Sequence, residues 1–132
     1  MSETIRSLGF EAQLAVAEAL PLTAILDTVP VAGPAIDLTA YPGCRILAIL
    51  SATVVAHGVT WSVAGAQEAG GPYNMPLQTS GDLSTLSADG HRLVAIQRHP
   101  QGPFLKITAT GDSADTDATV SALLLFVGGG MH

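Results

Sequence analysis

Residues 36–67, IDLTAYPGCRILAILSATVVAHGVTWSVAGAQ, decide how the rest of the chain must be arranged. Side chains alternate across a strand, so Cys44, Ile46, Ala48 and Leu50 share one face of a run while Leu47 and Ile49 share the other. Apolar groups on both faces need cover from both sides, from the same chain or from a partner chain. The next run alternates more cleanly, with Val59, Trp61 and Val63 opposite Thr60, Ser62 and Ala64. Trp61 is the only tryptophan and the largest apolar anchor available. A short loop closed by Gly58 joins the two runs, which therefore read as a central hairpin onto which the remaining strands pack.

Outward from this stretch the same period of two recurs. Upstream, Tyr41-Pro42-Gly43 is a turn in which proline fixes φ and glycine supplies a positive φ if the turn is type II. Residues 1–20 alternate at Phe10, Ala12, Leu14 and Val16, which predicts an N-terminal arm or first strand, with a helix as the alternative reading of the Ala- and Glu-rich composition. Pro21, Pro30 and Pro34 then break the pattern, so 21–36 reads as extended segments and turns with a short edge strand at Leu22–Leu26.

Downstream, residues 68–82 form a long Gly- and Pro-rich loop in which Met75 and Leu77 either enter a groove on a partner or staple the loop down. His91–His99 reads as a strand with Arg92, Val94, Ile96 and Arg98 on one face and Leu93 and Ala95 on the other. Phe104–Thr110 places Leu105, Ile107 and Ala109 inward and Lys106, Thr108 and Thr110 outward. Ala118–Val127 is a last strand, apolar on both faces, and 128–132 is a Gly-rich tail expected to be mobile.

Six to eight short strands separated by turn residues predict an all-β chain, an antiparallel β-sandwich or jelly-roll-like domain over 21–127. The candidate core and interface residues are Ile46, Leu47, Ile49, Trp61, Met75, Leu77, Phe104, Leu124 and Phe126.

Composition narrows the function. Of 132 residues, 48% are hydrophobic and only 12% charged, a surplus of apolar surface that one small core does not absorb and that points to a self-associating or assembly component. The net charge is −6, and the five basic residues, Arg6, Arg45, Arg92, Arg98 and Lys106, are scattered, which argues against nucleic acid as a partner. No basic leader precedes an apolar run, and the apolar stretches are too short to cross a bilayer as a helix, so the expectation is a soluble protein with no membrane partner.

Catalytic and cofactor chemistry is not legible. The single cysteine, Cys44, sits among aliphatics and reads as a small hydrophobe. His57, His91, His99 and His132 are too widely spaced for one metal, and Asp112, Asp115 and Asp117 lack the regular ligand spacing of a calcium loop. There is no G-x-S-x-G, no P-loop and no dinucleotide fingerprint. The expectation is therefore a non-enzyme with no metal and no cofactor.

In order and spacing the chain from about Leu20 to Val127 resembles the small decoration, cement or head-stabilising proteins of tailed-bacteriophage virions. The resemblance runs through Ala35-Ile36-Asp37-Leu38, the Tyr41-Pro42-Gly43 turn into Cys44–Leu50, the Trp61 strand, the Arg92–Arg98 strand, Phe104–Gly111 and Val120–Phe126. The family's acidic turn before the tryptophan has no equivalent here, and the first twenty residues have no counterpart. The resemblance implies a β-sandwich that self-associates, commonly as a trimer. It also implies that the protein is made in the host cytoplasm, binds the outer surface of the head and clamps neighbouring major capsid subunits. The alternatives are a ring-forming tail or head–tail connector protein and a small sugar-binding jelly roll, the latter requiring exposed aromatics such as Tyr41 and Tyr73.

Overall fold

The computed structural model describes residues 14–81, 83, 85–99 and 101–128. Among them are ten strands: β1 (Leu14–Ile25), β2 (Val31–Ala32), β3 (Ile36–Asp37), β4 (Arg45–Ala56), β5 (Val59–Ala66), β6 (Met75–Pro76), β7 (Thr79–Ser80), β8 (Gly90–Ile96), β9 (Phe104–Gly111) and β10 (Asp117–Val127). A single 3-10 turn, Leu38–Ala40, precedes β4. The strands form two antiparallel sheets, one in the order β1-β10-β4-β8-β7 (sheet A) and one in the order β2-β9-β5-β6 with β3 also on β9 (sheet B). The architecture is the expected all-β sandwich.

The core lies between the sheets. Ile46, Ala48 and Leu50 of β4, Val94 and Ile96 of β8, and Ala122, Leu124 and Phe126 of β10 meet Trp61 and Val63 of β5 and Leu105, Ile107 and Ala109 of β9. Every one of these positions follows the period-two reading of its own strand. β10 and β4 are in register from Ala118 opposite Val54 to Val127 opposite Arg45, so their inward and outward rows align across the sheet.

The predicted central hairpin is not formed. β4 and β5 belong to different sheets, and the link between them carries the chain across the edge of the sandwich. His57 takes a left-handed conformation (φ 63°) that turns the chain out of sheet A. The Gly58 N–H donates to Asp112 Oδ1 (2.9 Å), and the Asp112 N–H donates back to the Gly58 carbonyl (3.0 Å), which fixes the corner to the β9–β10 loop. A two-residue link is compatible with a hairpin by length alone. Here Trp61 faces Ile46 and Leu50 across the core, burying all three, where side-by-side pairing would have left one sheet without its partner.

Two further expectations change. From Leu14 the chain takes the first-strand alternative, and that strand runs on to Ile25 through the position of the separately expected Leu22–Leu26 strand. Pro21 falls between Leu20 and Thr23, where the register of β1 against β10 shifts, so its missing N–H removes no regular ladder bond. The 68–82 loop is stitched to both sheets, through β6 on β5 and β7 on β8. Phe10, Ala12, His132 and the tail beyond Gly128 lie outside the described residues.

Between β1 and sheet B the backbones approach closely. The Gly33 N–H donates to the Ile107 carbonyl (2.9 Å), and a Cβ at Gly33 would lie 1.6 Å from the Ala19 carbonyl oxygen. Backbone cannot yield as a flexible side chain does, so Gly33→Ala is expected to destabilise by about 2 kcal/mol or more. Gly70→Ala, where a Cβ meets nothing within 4 Å, should stay within about 0.5 kcal/mol. Urea unfolding of the two variants checks this, and equal midpoints would contradict it.

Candidate interaction surfaces

The nine residues singled out from the sequence fall into three places. Ile46, Trp61, Leu124 and Phe126 are in the core. Leu47 and Ile49 are half-buried on the outer face of sheet A. Met75, Leu77 and Phe104 are half-buried on or beside sheet B, where Leu77 packs against the core and Met75 Sδ sits over Gly102. Met75 and Leu77 thus staple their loop down within the chain.

The two outer faces differ in chemistry. On sheet B the outward positions of β5 and β9 are Thr60, Ser62, Ala64, Phe104, Lys106, Thr108 and Thr110, mostly polar, and Lys106 Nζ lies 4.7 Å from the Tyr73 ring centre. On sheet A the registers line up three outward rows. Leu14, Val127 and Arg45 form the first; Val16, Leu125, Leu47 and Ala95 the second; Glu18, Leu123, Ile49 and Leu93 the third. Leu14, Val16 and Leu93 are 56–62% exposed and Leu123 is 39% exposed. The next row is polar, Ser121, Ser51 and His91, with Ser51 Oγ and His91 Nδ1 2.8 Å apart. A bounded apolar patch therefore covers one end of the sheet A outer face across β1, β10, β4 and β8, with Ser80 of β7 beyond Ala95.

A second apolar surface follows β1 at the edge of sheet A. Leu22, Leu26 and Val29 are 76%, 60% and 62% exposed. The segment is held by its backbone and short polar groups: Asp27 Oδ1 accepts from the Val29 N–H (2.8 Å), and the Asp27 carbonyl packs where Gly111 leaves room. Its leucines and valine are left pointing outward. The sequence reading placed a short edge strand at Leu22–Leu26 between prolines but did not show that Leu22, Leu26 and Val29 all stay exposed.

The Tyr41-Pro42-Gly43 turn is a structural clasp. Gly43 has φ 72°, as a type II turn requires. The Arg98 guanidinium donates to the carbonyls of Leu38 (2.9 Å), Tyr41 and Cys44, while the Tyr41 ring stacks on Phe126 at 3.7 Å between centres. Cys44 Sγ donates to the Gly128 carbonyl (3.1 Å), and the half-buried residue packs against the core just before β4. An open depression of about 500 Å³ lies beside the clasp, lined by Leu38, Pro42, Arg98 and Pro103 among others, but the Arg98 charge there is already engaged by carbonyls. Trp61 is buried in the core, the Tyr41 ring stacks on Phe126, and the half-buried Tyr73 ring carries Lys106 over one face. Among the described residues, His, Cys, Asp and Glu nowhere gather in a group of three suited to a metal.

The sandwich defines a class, a two-sheet β domain with one polar and one apolar outer face. No protein-family model matches the chain, and no curated protein does. A chain in a solved structure of infectious bursal disease virus, Gx strain, superposes with a TM-score of 0.49 at 11% identity, over 89% of this chain and 33% of that one. The present chain spans about a third of that chain's length, and so loose an overlap carries no functional argument.

Two predictions test this placement. Leu93→Lys, on the exposed patch, should change stability in dilute solution by no more than about 0.5 kcal/mol, whereas Leu124→Ala in the core should cost about 2–5 kcal/mol. Chemical denaturation that gave the two similar costs would contradict the assignment of faces. Asp37 accepts hydrogen bonds from the Thr39 hydroxyl (2.6 Å) and N–H (2.9 Å), which hold its carboxyl below the usual aspartate range. A lowered folded value means that its support of the 3-10 turn is complete above about pH 4 and is lost as the pH falls through the lowered value. An NMR titration of Asp37 should give a midpoint below that of an unstructured aspartate, and Thr39→Ala should move it upward.

Proposed function

We propose that this chain is a non-enzymatic structural virion protein that binds the outer surface of a tailed-phage capsid and stabilises contacts between neighbouring major capsid subunits. The observation that carries the reading is that exposed apolar surface lies in two separate places on one sandwich, the outer face of sheet A and the β1 edge around Leu22, Leu26 and Val29. A clamp needs two contacts, and a domain with two apolar surfaces and few charges can serve as one. The sequence resemblance to head-decoration proteins supports the same reading. In it, the β1 edge meets the capsid, where an uncovered strand edge invites a neighbouring segment.

Such a protein stabilises a shell by binding its assembled form in preference to the disassembled one, and many equal copies make weak contacts effective. Purified full-length protein mixed with undecorated heads should therefore cosediment with them and raise their heat-disruption temperature as its concentration rises. Leu22→Asp combined with Leu26→Asp should abolish both effects while leaving the protein folded, since both side chains point outward. Absence of binding and of any gain in heat resistance with the unsubstituted protein would refute the proposal.

A further inference from the structure

The apolar patch on sheet A carries two charges, and their placement identifies what covers it. Arg45 lies in the first row on β4 and Glu18 in the third row on β1, at diagonally opposite corners, and neither makes an ion pair among the described residues. They are two strands and four residues apart, about 16 Å by ordinary sheet spacings. The midpoint of that diagonal falls at Leu125, inside the patch.

From this arrangement we infer that the patch is the contact between two copies of this chain, packed face to face about a two-fold axis. An axis lying between the two sheets, over Leu125 and perpendicular to the diagonal, sets each Glu18 opposite the partner's Arg45, and does so twice. The surface is thus complementary to itself in charge and uniformly apolar between the charges. With these spacings the strands of the two copies cross at about 70°, near the orthogonal class of sheet packing.

Size sets the class of contact. The three rows over four strands cover about 300 Å² in projection, enough for the apolar centre of an interface but short of the ~800 Å² each partner buries in a standard one. The polar rim of Glu18, Arg45, Ser51 and His91 completes it, as apolar centres with polar rims do elsewhere. A contact of this size makes a weak, reversible dimer and not a permanent one. This inference deepens the proposed function without depending on capsid binding, because it concerns a different surface from the β1 edge.

Sedimentation of the full chain from about 1 to 100 μM reads it directly. A monomer–dimer equilibrium is expected. Arg45→Glu or Glu18→Arg alone sets two like-charged pairs across the axis and should weaken dimerisation about tenfold or more, while the double exchange Arg45→Glu with Glu18→Arg should return it to within about threefold of the starting value. A trimer, a monomer at every concentration, or single variants that dimerise as tightly as the unsubstituted chain would overturn the inference. Failure of capsid binding with the dimer intact would instead count against the proposed function alone.

Discussion

The two central strands β10 and β4 of sheet A carry apolar side chains on both faces, and a sandwich of two sheets can cover only one of them. β4 sends Ile46, Ala48 and Leu50 inward and Leu47 and Ile49 outward, and β10 sends Leu124 and Phe126 inward and Leu123 and Leu125 outward. Sheet B resolves its inner face against the first set, and the threonines and serine on its own outer side meet water. What remains on the outside of sheet A is a surface whose burial would add roughly 25 cal/mol per Å² covered. The interaction chemistry of this protein follows from that imbalance.

Keeping the sheets apart and facing requires firm corners. The left-handed His57 and the reciprocal bonds of Gly58 and Asp112 carry the chain from sheet A to sheet B at one end. At the other end Arg98 gathers three carbonyls around the Tyr41 turn, and Tyr41 closes on Phe126. Hydrogen bonds from an ionised donor are the stronger kind, and here one side chain ties a turn to the end of β8. The Tyr41-Pro42-Gly43 turn, one of the marks shared with the head-decoration proteins, is therefore a folding device, and the exposed apolar surfaces lie elsewhere.

Alternation along a strand is a local property, and it was legible. The inward and outward positions of β4, β5, β8, β9 and β10 follow directly from residue order, and so does the surplus of apolar groups on β4 and β10. Which strand neighbours which is not local. The His57–Gly58 link reads as a hairpin because nothing in its own residues reveals Asp112, 54 positions away. Likewise Arg98 looks like one more strand residue until the fold brings it to Leu38, 60 positions upstream. Pro21 hides the continuity of β1 because a bulge, invisible in composition, absorbs it. The diagonal of Glu18 and Arg45 needs the order β1-β10-β4, which only the structure supplies.

Dimerisation through sheet A would cover its apolar outer face and leave the outer face of sheet B open to solvent. A soluble paramagnetic relaxation agent, applied to the methyl-labelled full chain at a concentration where it is associated, measures this directly. The methyl groups of Leu93, Leu123 and Val16 should be shielded, while those of Thr108, Thr110 and the exposed Val29 should relax quickly. Leu93 and Leu123 relaxing as fast as Val29 would contradict dimerisation through sheet A.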